Sequence, residues 1–171
     1  LTAGTKYYYH AYAANGGGTG YSNIDSFMTY LPPAAPGMVI SQVYGAGGNA
    51  GATYNQDFVE LFNRSASTID ISGWSIQYAS GAGTTWQVVA IPATTTIDPG
   101  KYYLIGLASG GTNGVPLPTP DLTGTIPMAA TPGKVALVND AIALSGASAC
   151  NSASVVDVLG YGSTASCYES V

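Results

Sequence analysis

His10 is the sole histidine among 171 residues, so any Ser-His-Asp, Cys-His or histidine-metal arrangement would have to use it. It alternates with Tyr8 and Tyr12 on one face of a strand-like run. No nucleophile or base lies beside it in sequence, so it reads as a surface or half-buried strand histidine. Asp57 and Glu60 stand three apart in one strand, hence on opposite faces, and cannot act there as an acid–base pair. Asp140 and Asp157 fall near strand ends, where oxygen ligands could converge on Ca²⁺. No D-x-[DN]-x-[DN]-G loop accompanies them, and strand-end Asp usually caps turns. Asp157 is in phase with Val155, Leu159 and Tyr161, and if that face is inner its carboxylate must be hydrogen-bonded. The expectation is structural carboxylates, no bound metal and no cofactor. The chain contains no G-x-S-x-G, no G-x-x-x-x-G-K-[ST] and no H-E-x-x-H. Its glycine-rich runs, 16–20 and 45–51, open no predicted helix that could receive phosphate. Neither catalytic residues nor hydrolase activity are expected.

The two cysteines, Cys150 and Cys167, carry the other chemistry. Their even number, the scarcity of Lys and Glu, and a surface rich in Thr, Ser, Gly and Tyr point to a disulfide in an exported protein. Such a bond would close a loop of about 17 residues and contribute ~3 kcal/mol in the loop-entropy picture. Charged residues make up only 8%, and the net charge is −5. Four cations, Lys6, Arg64, Lys101 and Lys134, are scattered, which argues against nucleic acid as a partner. No apolar run approaches the ~18 residues of a membrane span, so no membrane insertion is expected. Apolar residues amount to 46%, with 13 Tyr, enough to fill a sizeable core and exclude disorder. The chain opens without Met and inside a strand-like pattern, which reads as a mature or excised piece of something longer.

These residues must be positioned by strands. Segments 5–14 and 21–30 flank a turn at 15–20 (NGGGTG), and 32–37 is proline-rich and reads as a linker. Beyond it, strand patterns recur at 39–44, 57–63, 68–71, 74–79, 85–91, 101–107, 134–139 and 155–161, separated by turn residues. Trp74, Ile76 and Tyr78 share one face and Ser75 and Gln77 the other, a half-buried antiparallel strand with its polar face in solvent. Segment 102–107 (YYLIGL) is apolar on both faces and is expected mid-sandwich. Helical periodicity is absent. The predicted fold is all-β, an antiparallel β-sandwich with Trp74, Leu61, Leu104 and Leu137 in its core and Trp74 deeply buried.

Residues 38–171 resemble the lamin-tail family. The motifs are Val39-Ile40-Ser41-Gln42-Val43-Tyr44, then Asp57-Phe58-Val59-Glu60-Leu61-Phe62-Asn63, then Ile71-Ser72-Gly73-Trp74-Ser75-Ile76. Ile97-Asp98-Pro99-Gly100-Lys101-Tyr102-Tyr103-Leu104-Ile105 follows, then Lys134-Val135-Ala136-Leu137-Val138, and finally Val155-Val156-Asp157-Val158-Leu159-Gly160-Tyr161-Gly162. The glycine-rich loop at 45–52 and the cysteine pair are similar to the bacterial exported branch of the family. The resemblance implies an immunoglobulin-like sandwich. Residues 1–31 resemble the C-terminal hairpin of a fibronectin type III domain, through Leu1-Thr2-Ala3-Gly4-Thr5-Lys6-Tyr7, Tyr9, Ala13, Asn15, Gly20, Tyr21 and Phe27-Met28-Thr29. That makes the chain a hairpin remnant of a second sandwich at 1–31, a linker at 32–37 and a lamin-tail domain at 38–171.

The resulting expectation is a non-catalytic structural or adhesive module of a secreted or cell-surface protein. An accessory domain of a secreted nuclease or phosphatase is the first alternative, since lamin-tail modules accompany such enzymes. A subunit of an extracellular filament built by strand exchange is the second. Protein partners, or self-association through the hairpin, fit the aromatic content of 1–31. The tyrosines also permit a carbohydrate partner, though no other feature supports one. Asn63-Arg64-Ser65 is a lone glycosylation sequon.

Overall fold

Alternation in the sequence becomes two packed sheets. The structure is a computed structural model that describes residues 6–28, 37–147 and 149–168. The leader at 1–5 and nearly all of the proposed 32–37 linker lie outside the described residues. The chain divides into two compact units, Leu1–Ala35 and Pro36–Val171.

In the first unit β1 (Lys6–Tyr9) pairs antiparallel with β4 (Asp25–Met28), and β2 (Tyr12–Asn15) with β3 (Gly18–Tyr21). The turn is shorter than the 15–20 expected, because Asn15 and Gly18 already face each other and only Gly16 and Gly17 connect them. The Asn15 side-chain oxygen accepts the Gly17 N–H at 2.9 Å, and Gly18 adopts φ +127°, which only glycine takes readily. Tyr9 faces Asp25 and Tyr12 faces Tyr21, so three steps on one strand meet four on the other. Ser22 fills this bulge, its hydroxyl accepting the Ala11 N–H and donating to the Asn23 carbonyl.

The second unit stacks two four-stranded sheets. The first, in the order β12 (Leu122–Thr123), β11 (Tyr102–Gly106), β6 (Phe58–Asn63), β5 (Met38–Tyr44), faces the second, β14 (Val155–Tyr161), β13 (Gly133–Val138), β8 (Ser75–Ser80), β9 (Gln87–Ala90). A short pair, β7 (Ile69–Asp70) with β10 (Thr96–Ile97), lies apart from both ladders. The fold is all-β and immunoglobulin-like. Among the named strands one pairing departs from the antiparallel expectation: β12 runs parallel to β11. Between the sheets Val59 and Leu61 of β6, Ile105 of β11, Ile76 and Tyr78 of β8, and Val135 and Leu137 of β13 form the core. Leu61 and Leu137 are fully buried there.

Leu104 and Trp74 do not join them. Leu104 pairs with Glu60 on the outer face of its sheet, while Ile105, opposite Val59, takes the inner position. The apolar run at 102–107 conceals this phase, and Leu104 is half-buried. Trp74 precedes β8 at the rim, where it packs on the core while still half-exposed. The deeply buried tryptophan is Trp86, 4% exposed. The polar face of β8 is also covered. Ser75 and Gln77 are fully buried, because the loop at 140–147 folds across them. Ser75 donates to the Asp140 carbonyl at 2.6 Å, the Gln77 amide donates to the Ile142 carbonyl at 2.9 Å, and its oxygen accepts the Leu144 N–H at 2.8 Å. No helix among the described residues is long and apolar enough to cross a membrane.

Candidate functional site

The residues with chemical potential are spread through the structure in separate roles. His10 is exposed and stacks on Tyr21, ring centres 4.8 Å apart. Glu60 accepts the Ser41 hydroxyl on the outer face, while Asp57, just before β6, is buried. Asp140 accepts the Ile142 N–H two residues on, a turn-capping bond. Asp157 reaches from β14 to accept the Ile40 N–H of β5 at 2.7 Å, linking the adjacent edges of the two sheets. An inward carboxylate at a sheet edge of this kind also blocks pairing with another chain. Among the described residues no group of three His, Cys, Asp or Glu is placed to hold a metal ion. Asn63 of the sequon is fully buried, and its amide donates to the Ser67 and Ile97 carbonyls, which leaves it inaccessible to glycosylation.

Two polar centres emerge that sequence reasoning did not assemble. At the first, Asp57 accepts the Gly47 N–H with one oxygen and the Met128 N–H with the other, both at 2.8 Å. Gly47 is required here, because a Cβ would collide with the Gln56 and Asp57 backbone. Nearby, Tyr161 donates to the Ala129 carbonyl and Tyr78 accepts the Ala129 N–H. Burial holds the Asp57 carboxyl above its ordinary value of 3.8, against the two amide donors that lower it. Burial, with Tyr78 and Asp57 nearby, raises the Tyr161 phenol far above 10.0. These groups fasten the glycine-rich loop and the 128–129 segment onto the sandwich.

The Asp57 centre has a signed pH consequence. The folded state takes up the Asp57 proton before the unfolded chain does, so the contribution of this group is fully present below the ordinary value of 3.8. That contribution is lost as pH rises through the folded value. Asp57→Asn turns one acceptor into a donor facing an amide, and should lower stability by about 1–3 kcal/mol at pH 7. The deficit should widen as pH falls toward 4, as measured by urea unfolding. Equal midpoints at both pH values would show that the two amides find other partners.

The second centre surrounds Lys134, a fully buried lysine. Its Nζ donates to the Gly83 carbonyl at 2.8 Å, the Ala147 carbonyl at 3.0 Å and the Ser166 hydroxyl at 3.0 Å, and sits 5.0 Å from the Trp86 ring centre. An ammonium has three protons, and here each has an acceptor. Burial pushes its pKa below 10.5, and among the described residues no charged group compensates. Trp86 donates its indole N–H to the Gly146 carbonyl. Beside this centre Cys150 is bonded to Cys167, their Cα atoms 5.9 Å apart. Lys134 alternates like its neighbours on β13. The only legible signal was a cation inside an otherwise apolar strand.

The second unit is thus a double-layered immunoglobulin-like module in which Asp57, Asp140, Asp157 and Lys134 hold backbone in place. The chain belongs to the lamin tail domain family, whose model matches residues 32–163. That domain is a non-catalytic fold. A search of curated proteins finds no match to the chain.

Proposed function

We propose that this chain is a structural and adhesive module of a secreted or cell-surface protein. The observation that carries this reading is the Cys150–Cys167 disulfide, which seals a lamin-tail sandwich and requires an oxidising compartment to persist. The ion-poor composition and the use of carboxylates such as Asp57 and Asp157 as backbone anchors support a scaffold. Material isolated from its native source and alkylated without reductant should carry no label at either cysteine. Two labelled thiols would overturn the exported reading.

Self-association through the N-terminal hairpin is the partner mode we favour. Tyr8, Tyr12, Tyr21, Ile24 and Phe27 are exposed on it, Tyr12 by 71%. Lys6 and Asp25 are its only residues of fixed charge between 6 and 28, so little repulsion opposes a second copy. Removal of residues 1–31, the segment read as a fibronectin-like remnant, should convert a concentration-dependent oligomer to a monomer in light scattering. A full-length chain that stays monomeric at millimolar concentration would refute self-association.

A further inference from the structure

We infer that the Cys150–Cys167 disulfide and the buried Lys134 ammonium form one latch, which holds residues 140–147 and 164–167 as a cap over the outer face of the β8–β13–β14 sheet and releases that cap when the disulfide is reduced, with the two-sheet core left folded. The apolar interior divides accordingly. The main core lies between the sheets, whereas Ala79, Trp86, Ala136, Val138, Leu144 and Cys167 form a second cluster beneath the cap. Apart from Leu144 and Cys167 the cap is held by polar bonds, and Ile142 stands 76% exposed on top of it. A layer with few buried apolar groups opens at lower free energy than the core it covers.

Lys134 ties three segments to one atom. Gly83 belongs to the turn after β8, Ala147 to the loop that leads to Cys150, and Ser166 is the neighbour of Cys167. The disulfide joins the last two covalently, and the Cys150 N–H points at the Cys167 sulfur, 3.2 Å away. The tail reaches this position by lying against bare backbone. A Cβ on Gly160 would collide with the Cys167 carbonyl, and the Ser166 N–H bonds to the Gly81 carbonyl at 3.0 Å. All three acceptors of the ammonium are neutral, as is the Trp86 ring. The buried charge is therefore tolerated only while these dipoles stay in place. Once the tail is no longer tethered, water competes for the ammonium and the cap loses its anchor.

Opening requires a dithiol reductant. One of its thiolates attacks a cystine sulfur to give a mixed disulfide. Its second thiolate displaces the remaining cysteine, so the reductant ends as a cyclic disulfide, and Cys150 and Cys167 receive two electrons and two protons. The test is acylation of lysines in the full chain by a water-soluble amine-reactive ester, read by peptide mass spectrometry with exposed Lys101 as internal reference. In the oxidised protein Lys134 should react far more slowly than Lys101. After dithiol reduction, and in the Cys150→Ser/Cys167→Ser variant without reductant, its rate should rise roughly hundredfold, the factor expected from losing a loop closure of this length. Amide exchange at Val59, Leu61 and Ile105 should stay protected. The latch is refuted if Lys134 stays unreactive after reduction. It is also refuted if Lys134 and the core amides become exposed together, because the domain would then open as one unit.

Discussion

Trp86→Ala should lower the unfolding free energy by about 3–5 kcal/mol, a large part of the stability of an ordinary domain. The indole is almost wholly buried, so its removal leaves a cavity in the cluster beneath the cap. It also frees the Gly146 carbonyl and removes the ring that faces Lys134. A buried ammonium without that π-face and with a void beside it is poorly compensated. Trp74→Ala serves as the control. Trp74 lies half-exposed at the rim, so its loss should cost only about 1–2 kcal/mol. Thermal unfolding of the two variants should separate them by many degrees. Equal losses would mean that the rim tryptophan carries as much packing as the buried one.

Lys134→Ala should be comparably damaging, by about 3–5 kcal/mol, since it strands the Gly83 carbonyl and empties the space of a four-carbon stem. Lys134→Met keeps most of that volume and isolates the charge. Because burial lowers the folded pKa below 10.5, the unfolded chain holds its proton more tightly than the native protein does. The wild-type protein should therefore gain stability from this group as pH rises toward 10.5. Above 10.0 the raised phenol of Tyr161 acts in the opposite direction, since the unfolded chain then loses that proton first. Denaturant unfolding between pH 7 and 9.5 isolates the lysine. The wild-type curve should climb relative to Lys134→Met across that range, and parallel curves would show that Lys134 is solvated in the native state.

Both effects belong to a layer that strand periodicity does not reveal. Ser75 and Gln77 alternate with Ile76 and Tyr78 as residues of a solvent face would, and a polar side chain reads the same whether it meets water or a loop carbonyl. The loop that covers them lies 65 or more residues away in sequence. In the same way Trp74 sits in a clean alternation and yet at the rim, whereas Trp86, flanked by Thr85 and Gln87, is enclosed by a loop about 60 residues downstream.

What the sequence by itself determined is most of the longer strands and their family. The short alternating strands, the Gly and Pro turns between them and the ordered lamin-tail motifs follow from local backbone preference and side-chain period, which act over a few residues. The absence of helical patterning likewise needs no partner to be read. The tertiary structure alone decided what covers each face. It placed Leu104 outside and Ile105 inside, ran β12 parallel to β11, assembled the Asp57 anchor, and closed a second layer around Lys134. Period two specifies that successive side chains point to opposite sides of a sheet. Which side becomes dry depends on segments distant in the chain, and the burial of a charged group depends on how many backbone dipoles those segments bring to it.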